Sequence, residues 1–357
     1  MPRLASARLL GAGMAALLLA MTFPAHVFAT GLQAFVLASA PDSLADLQAH
    51  GRSLGVVYPT YFECESPSGR ITGEGSAAIT AYANAQQIAV MPRFNCQNGP
   101  TVHRILTEPH ARARALAGLV RIASNPAYAG VNLDLENDLA ADRSALASFV
   151  RALARELHAR AKKLTVDVDG VTHEDSALST GFYDDRALAA AADYVFVIAW
   201  GTHWEGSEAG PIAPLPYVAA VARFLASLPH AGRFVLGAPM YGLDWPIPAG
   251  VDRHPHAAAL QYANVQTLVG SIGATPVLDS AVDEMTFSYT RAGVEHRVWY
   301  LNARAVADRL RIGRERGLMV GVWRLGGEDQ SLWSSAPVIE GQRASGCAEP
   351  ETGCAIQ

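Results

Sequence analysis

A short run of alternating polar and aliphatic residues is the clearest candidate in this chain for acid–base chemistry. Asn132, Asp134 and Glu136 are separated by single aliphatic residues in the segment 130–136. Successive side chains of a β-strand point to opposite faces, so a strand here places two carboxyl groups and one amide on one face. On an exposed strand that face would simply meet water. In a buried sheet it would be costly, and a buried carboxyl pair indicates a functional site.

The sequence that follows favours the buried alternative. Residues 140–162 have the pattern of a long amphipathic helix, and a strand followed directly by a helix is a unit of a parallel sheet. Two residues apart on a strand, the Cα atoms of the acidic pair would lie about 6.6 Å from each other. Repulsion between two such carboxylates keeps one of them protonated near neutral pH. We therefore expect Glu136 to donate a proton, Asp134 to tune it and Asn132 to support them.

The rest of the chain repeats this alternation of strand and helix. Strand-like runs are predicted at 33–38, 54–60, 88–92, 130–136, 164–169, 194–200, 234–239 and 318–323. Helices are predicted at 41–50, 77–86, 110–124, 140–162, 185–192, 215–228 and 302–316. This pattern predicts the α/β class and a (β/α)8 TIM barrel. An open doubly wound sheet is less favoured because no glycine-rich dinucleotide motif follows the first strand.

The alternation breaks between the seventh and eighth predicted strands. Residues 243–300 contain two β-rich runs, 286–290 and 296–300, joined by the turn 291–294. We expect a small α+β insertion with a β-hairpin here. Material inserted at the carboxyl end of a barrel commonly forms one wall of the site.

Aromatic and acidic residues collect at the predicted carboxyl ends of strands, where such barrels place their reactive groups. Those at or just beyond these ends include Tyr58, Asp169, Trp200, Trp204, Tyr241, Trp245 and Trp323. Core packing is the commoner role for any single aromatic residue. A group of them on one rim, beside carboxyl groups, favours a cleft for sugars, whose rings have apolar C–H faces. Glycosidic bond cleavage needs an acid to protonate the leaving oxygen, and Glu136 would be that acid.

The first residues predict export. Arg3 and Arg8 precede an apolar run over 9–23, and residues 27–29 offer a small-residue cleavage site, as in a secretory signal peptide. The run is short for a membrane span. We expect a secreted or periplasmic protein without an integral membrane span once the leader is removed, although an uncleaved N-terminal anchor is the alternative. The expected boundaries are 1–29 for the leader, 30–340 for the barrel and 341–357 for a polar tail.

Four cysteines in an exported chain indicate two disulfides, with three connectivities open. Cys347 and Cys354 are close together in the tail and are expected to pair. Cys64 and Cys96 would then pair across the loops that follow two successive strands. CxxC spacings are absent, so neither a metal site nor a cofactor is expected.

The charge balance bears on the partners of the protein. The formal net charge is −5, and no basic patch is evident, which argues against nucleic acid or an anionic membrane surface as a partner. No linker or repeat divides the chain, so we expect one domain and a monomer.

The motifs in their order resemble glycoside hydrolase family 18, the chitinase-like family. Residues 130–136 resemble its fourth-strand signature, D-G-x-D-x-D-x-E. Further segments resemble the spore-germination and cortex-lytic branch of the family, at 57–62, 198–204, 210–214, 237–242, 296–300 and 323–329. The resemblance extends over most of the chain.

The resemblance implies a hydrolase that cleaves next to an N-acetylated sugar, with the substrate's own acetamido oxygen attacking the anomeric carbon. Glu136 is then the proton donor and Asp134 holds the acetamido group. Trp323 is expected to form the floor of the subsite that binds the scissile sugar, and Tyr241 is expected to contact sugar hydroxyls. The implied substrate is peptidoglycan or a chitin-like oligosaccharide.

This chain departs from the family pattern in two places. The sixth strand of relatives usually ends Met-Ala-Tyr-Asp, whereas here it reads Ile-Ala-Trp-Gly over 198–201. Trp200 can donate a hydrogen bond but cannot accept one, and the carboxylate at position 201 is lost, for which Asp169 could compensate. In the fourth strand, Ala129 and Asn132 stand where relatives usually have acids.

Three hypotheses follow. The first is an exported hydrolase of N-acetylated glycans. The second, motivated by positions 200 and 201, is a glycan-binding barrel with weak or no catalysis. The third is a structural envelope protein, which fits the leader and the disulfides but leaves the acidic residues of the fourth strand unexplained.

Overall fold

The structure is a computed structural model that describes residues 31–66, 68–136, 139–174, 181–247 and 256–335. The predicted leader, the predicted tail and the expected pair Cys347 and Cys354 lie outside these residues. The strands, numbered along the chain, are β1 (Leu32–Val36), β2 (Leu54–Pro59), β3 (Phe62–Glu65), β4 (Arg70–Gly73), β5 (Ala89–Val90), β6 (Arg93–Cys96), β7 (Gly130–Leu135), β8 (Lys163–Asp169), β9 (Tyr194–Ile198), β10 (Phe234–Pro239), β11 (Gly242–Ile247), β12 (Ala258–Leu260), β13 (Val277–Asp279), β14 (Glu284–Arg291), β15 (Val294–Tyr300) and β16 (Met319–Trp323).

Eleven of these strands form the main sheet, in the order β4-β3-β6-β7-β8-β9-β10-β16-β1-β2-β5. All neighbours are parallel except β3 and β4, which are antiparallel. Only Met91 and Pro92 separate β5 from β6, so the chain itself joins the two sides of the curled sheet. The backbone N–H of Ala129 also donates to the carbonyl oxygen of Val90 at 2.8 Å. The result is a TIM-barrel-like α/β fold.

Helices cover the outer face of this sheet. They are α1 (Pro41–His50), α2 (Ala77–Ala85), α3 (Gly99–Thr107), α4 (Pro109–Ala123), α5 (Arg143–His158), α6 (Asp185–Ala191), α7 (Leu215–Ser227), α8 (Tyr262–Ile272) and α9 (Ala303–Glu315), of which α8 belongs to the second sheet described below. In α5, Leu146, Val150, Leu153 and Leu157 are buried at the spacing of one helical face. They pack against the outward side chains of β7, which explains why this part of the barrel alternates so clearly in sequence.

A second, antiparallel sheet lies between β10 and α9 in the chain, with the order β12-β11-β15-β14-β13. Within it, β14 and β15 pair from Met285 with Tyr300 to Arg291 with Val294. The two residues between these strands, Ala292 and Gly293, have φ values of 50° and 81°. Two left-handed residues match the twist of a tight hairpin, so the chain turns back in two residues.

Differences from the prediction include one strand and two helices. The third strand-like run ends early because Pro92 has no backbone N–H to continue the ladder, and the strand resumes as β6. Helix α3 was not predicted, although Asn98 caps it by accepting from the N–H of Thr101 and a proline stands in its first turn. The predicted helix 140–162 is shorter, with a 3-10 turn over Ala140–Asp142 before α5.

Candidate active site

The two faces of β7 separate as its alternation predicts. Val131, Leu133 and Leu135 belong to the core between the sheet and the helices. Asp134 and Glu136 instead line a cavity of about 470 Å³ inside the carboxyl end of the barrel. Further predicted site residues line the same cavity: Asp169, Trp200, Tyr241 and Trp323. The structure therefore brings six of the eight predicted catalytic and substrate-binding residues together.

The other two predicted substrate contacts lie beneath the cavity. Tyr58 is fully buried, donates a hydrogen bond to Gln33 and has its hydroxyl 3.2 Å from that of Thr165. Burial raises the pKa of this tyrosine well above its ordinary value. Asn132 is also fully buried. Tyr58, which was predicted to contact substrate, is not among the residues that line the cavity. Inward side chains of a barrel stack in layers, and its hydroxyl forms hydrogen bonds in the layer below.

The aromatic rim is also smaller than predicted. Trp204 lines the cavity and is 54% exposed, whereas Trp245 lies on β11 and is 1% exposed. Trp200 packs edge-on against Phe196, with ring centroids 6.4 Å apart. Three tryptophan side chains, those of residues 200, 204 and 323, thus remain available to a ligand in the cavity.

Asp167 is a cavity residue that the sequence interpretation missed. Its side chain is 2% exposed and accepts a hydrogen bond of 2.5 Å from the amide of Asn132. Burial, and then the negative charge of Asp134, raise the pKa of Asp167 well above its ordinary value, so the neutral acid is favoured. The sequence contains a signal that could have identified Asp167, because Thr165, Asp167 and Asp169 alternate along β8 as the acidic residues do along β7.

Glu136, just beyond the end of β7, is held by residues at and just after the end of β6. Its backbone N–H donates to the carbonyl oxygen of Cys96 at 3.0 Å, and the side-chain amide of Gln97 donates to Oε1 at 2.7 Å. Burial raises the pKa of Glu136, and the negative charge of Asp134 raises it further. A carboxyl group that keeps its proton at a higher pH than usual suits a proton donor.

Arg93, on β6, was also missed, and it contacts Asp134 directly. Its Nε lies 2.6 Å from Oδ2 of Asp134, and a second guanidinium N–H donates to the same oxygen. The guanidinium carbon lies 5.2 Å from the ring centre of Trp323. The register of β6 and β7 pairs Arg93 with Asn132, two residues before Asp134 on the same face of β7, so the guanidinium lies within reach of that carboxyl group.

One wall of the cavity is the loop that follows β9. Gly201 has a φ of 83°, and its N–H donates to the carbonyl oxygen of Ile212 at 2.8 Å. A Cβ atom at this position would meet no atom within 4 Å, so the place of the lost carboxylate is open space. The loop carries Thr202, Trp204 and further cavity residues.

A buried carboxyl group of the second sheet anchors this loop. Glu284, on β14, accepts the backbone N–H groups of Ile212 at 2.8 Å and Ala213 at 2.7 Å. Arg309 on α9 lies 3.5 Å from the same carboxyl group, and both side chains are completely buried. The second sheet therefore holds the cavity wall from behind.

One disulfide is present among the described residues. Cys64 on β3 and Cys96 at the end of β6 are joined, with Cα atoms 5.1 Å apart, as predicted. Within the described ranges, no three His, Cys, Asp or Glu side chains are arranged to hold a metal ion. A search of the same part of the chain finds no helix long and apolar enough to cross a bilayer.

Comparison with known proteins agrees with this geometry. The pattern of the family described as Glycosyl hydrolases family 18 matches residues 72–328. YdhD of Bacillus subtilis, named as a sporulation-specific glycosylase, is 30% identical over 228 residues, which are 63% of this chain and 53% of YdhD. The cortical fragment-lytic enzyme of Bacillus anthracis is 21% identical over 280 residues, which are 76% of this chain and 65% of that enzyme.

A solved structure is similar over nearly its whole length. The chitinase of Chromobacterium violaceum superposes with a TM-score of 0.76 and 27% identity, over 88% of this chain and 99% of the chitinase. By contrast, this chain spans only about half the length of YdhD. The family match, the cavity and the barrel agree, and the chain belongs to glycoside hydrolase family 18.

Proposed function

We propose that this protein is an exported enzyme that cleaves β-linked N-acetylhexosamine glycans, either peptidoglycan or chitin-like oligosaccharides. The observation that carries the proposal is the pair of carboxyl groups in one cavity, of which Asp134 has an unused oxygen. Oδ1 of Asp134 is buried and has no hydrogen-bond partner among the described residues. A buried acceptor without a partner is costly unless a ligand supplies the donor. The amide N–H of an N-acetylated sugar is such a donor.

The proposed reaction is substrate-assisted and retains the anomeric configuration. Glu136 protonates the leaving glycosidic oxygen while the acetamido oxygen of the substrate attacks the anomeric carbon. The acetamido N–H donates to Oδ1 of Asp134, whose negative charge stabilises the cyclic cation that forms. Glu136 then takes a proton from the water that opens this ring, and the product keeps the original configuration.

The surroundings of the pair fit a sugar substrate. Trp323 and Tyr241 lie on the cavity wall, as expected for the floor of a subsite and for a contact with hydroxyl groups. Asp169, on the same wall, lies near enough to Glu136 for its charge to raise the pKa of the proton donor. The names of the relatives, which refer to the spore cortex and to chitin, support a glycan built of N-acetylated sugars.

Digestion of defined glycans tests the reaction. Purified protein is expected to release new reducing ends from peptidoglycan fragments or chitin oligosaccharides, with the products identified by mass. Glu136→Gln should remove this activity, and Glu295→Gln, at an exposed position of β15, should not. Equal activity of the wild type and Glu136→Gln would rule out the assigned proton donor.

The runner-up function is a glycan-binding protein with weak or no catalysis, and the residues after β9 favour it. Trp200 replaces the tyrosine expected from the family, and Gly201 leaves open space where a carboxylate is expected. Tight binding of N-acetylated oligosaccharides, without turnover at any of several pH values, would support this alternative.

We further propose that residues 1–29 are a cleaved leader, that 30–340 form the catalytic unit and that 341–357 are a tail. In this proposal, 243–300 is an insertion that supports the loop wall through Glu284. The mature protein is expected to be a secreted or periplasmic monomer. N-terminal sequencing of the exported protein should begin at Thr30, and a start well before Thr30 would contradict the cleavage. A dimer in sedimentation experiments would contradict the monomer.

A further inference from the structure

The cavity is rich in acidic side chains and contains a single basic one among the residues that line it. The acidic side chains are those of Asp134, Glu136, Asp167, Asp169 and Glu205. The basic one is Arg93, whose side chain is only 11% exposed. Charges interact strongly at such low exposure, so this one guanidinium bears on how the whole acidic group behaves.

Arg93 is fixed in place by groups on several elements. Its own strand supplies Asn95, whose Oδ1 accepts from the guanidinium at 3.2 Å. The rings of Trp323 on β16 and Phe35 on β1 lie 5.2 Å and 5.9 Å from the guanidinium carbon. A guanidinium near aromatic rings and between hydrogen-bond acceptors loses little further freedom when it orients a partner.

The hydrogen bonds from Arg93 to Asp134 involve only one of the two carboxylate oxygens. Both N–H groups from Arg93 go to Oδ2 of Asp134, whereas Oδ1 accepts from no described residue. A carboxylate bound by one oxygen in this way cannot rotate freely about its last side-chain bond. The other oxygen is therefore held in one orientation with its capacity to accept a hydrogen bond unused.

We propose that Arg93 is a positioning residue for the hydrolysis, because it binds one oxygen of Asp134 and so directs the unpaired oxygen toward the substrate's amide N–H. The proposal rests on the function proposed above and adds to it the group that orients Asp134. Arg93 acts through Asp134 and needs no contact of its own with the reacting atoms.

The same charge also acts on the proton donor. The pKa of Glu136 is raised mainly by burial, and Arg93 opposes that increase. The other titratable groups that line the cavity or act on this cluster come from β7, β8, the chain before α6, the loop after β9, α7 and the chain after β10. They are Asp134, Asp167, Asp169, Tyr183, Glu205, Tyr217 and Tyr241. None of these groups is basic, and Arg93 is the one basic side chain among the described residues that line the cavity, so its removal takes an opposing positive charge away from Glu136. The pKa of Glu136 should then rise further.

The pH dependence of activity separates this role of Arg93 from a role in packing alone. The proposed proton donor works only while it is protonated, so activity falls as the pH rises through its pKa. In Arg93→Met, the alkaline limb of the pH profile should move upward by about one pH unit. Its kcat/KM at the optimum should fall by about a hundredfold because Asp134 is no longer oriented.

Arg93→Lys separates charge from orientation. A lysine keeps the positive charge but lacks the two-pronged contact with one oxygen. This variant should keep the alkaline limb of the wild type while losing part of the activity. Arg112→Met is the matched control, since the guanidinium of Arg112 also lies 5.2 Å from a ring, that of Phe149, and Arg112 is not among the cavity-lining residues. It should leave the pH profile unchanged.

Binding of tri-N-acetylchitotriose, followed by calorimetry, gives a second measurement that needs no turnover. Arg93→Met should bind it at least about tenfold more weakly than the wild type, and Arg93→Lys should be intermediate. Folding of each variant is checked by urea unfolding.

Two outcomes overturn the proposal. One is wild-type binding of the trisaccharide by a folded Arg93→Met. The other is equal loss in the Met and Lys variants with no movement of the alkaline limb. An inactive wild type, or an active Glu136→Gln, would instead contradict the proposed function, and the binding comparison would still decide the role of Arg93.

Discussion

Removal of the disulfide between Cys64 and Cys96 should cost this protein about 3.7 kcal/mol of unfolding free energy at 25 °C. The bond closes a loop between residues 32 positions apart in the chain, and this figure is the loop-closure entropy for that length. The loop contains β4 and α2 and ends at β6. Without the disulfide, this segment has many more conformations in the unfolded state, and they are lost on folding. Cys96 is 1% exposed, so replacement by the smaller alanine adds a small packing cost.

The double variant Cys64→Ala/Cys96→Ala is the appropriate perturbation. Urea unfolding, followed by tryptophan fluorescence, should show a lower midpoint and a slope at least as steep as that of the oxidised wild type. Reduction of the wild type should reproduce most of this loss. The same reductant should leave the double variant unchanged, which controls for effects on other groups.

The result also has a functional side. The carbonyl oxygen of Cys96 accepts from the backbone N–H of Glu136, and the side-chain amide of Gln97 donates to the carboxyl group of Glu136. Without the disulfide, the end of β6 should position Glu136 less firmly, so kcat of the double variant should fall. A loss of stability below about 1 kcal/mol, in protein whose disulfide is demonstrated by peptide mapping, would refute the loop-entropy reasoning. Two free thiols in the native protein would refute the disulfide itself.

Three further predictions concern the cavity and its wall. Burial and the charge of Asp134 raise the pKa of Glu136, so kcat/KM of the wild type should persist above the pH at which an ordinary glutamic acid ionises and should fall as the pH rises further. Loss of activity at or below that ordinary pKa would contradict the assignment of Glu136 as proton donor. Trp204→Ala should raise KM for oligosaccharides by roughly threefold to tenfold with little change in kcat, and an unchanged KM would show that this exposed ring does not contact the substrate. Glu284→Ala should lower the free energy of unfolding by about 3 kcal/mol, because it leaves two backbone N–H groups without their acceptor and removes one of the two carboxyl groups beside buried Arg309. Urea unfolding like that of the wild type would contradict the anchoring of the loop.

The sequence predicts those parts of the fold and site that depend on local alternation. The polar residues of β7 could be placed on one face because period two is a property of any strand. Asp167 could have been found in the same way from β8. The ends of strands were predicted within a few residues because glycine, proline and polar residues follow them.

What could not be predicted depends on how strands are matched to one another. The contact of Arg93 with Asp134 requires the register of β6 on β7, which no local pattern contains. The position of Tyr58 beneath the cavity could not be predicted for a related reason. Position near a strand end does not tell which layer of the barrel interior a side chain occupies, and that layer is set by the strands on either side.

The hydrogen bonds from Ile212 and Ala213 to Glu284 limit how this protein can be engineered. A minimal barrel made by cutting out residues 242–300 would retain every carboxyl group of the cavity. It would also leave both of those peptide N–H groups without an acceptor, and it would remove the two carboxyl groups, those of Asp283 and Glu284, that lie beside the guanidinium of Arg309. Such a truncated enzyme would lose the shape of its substrate channel before it lost its chemistry, so the second sheet must be redesigned together with the loop that it holds.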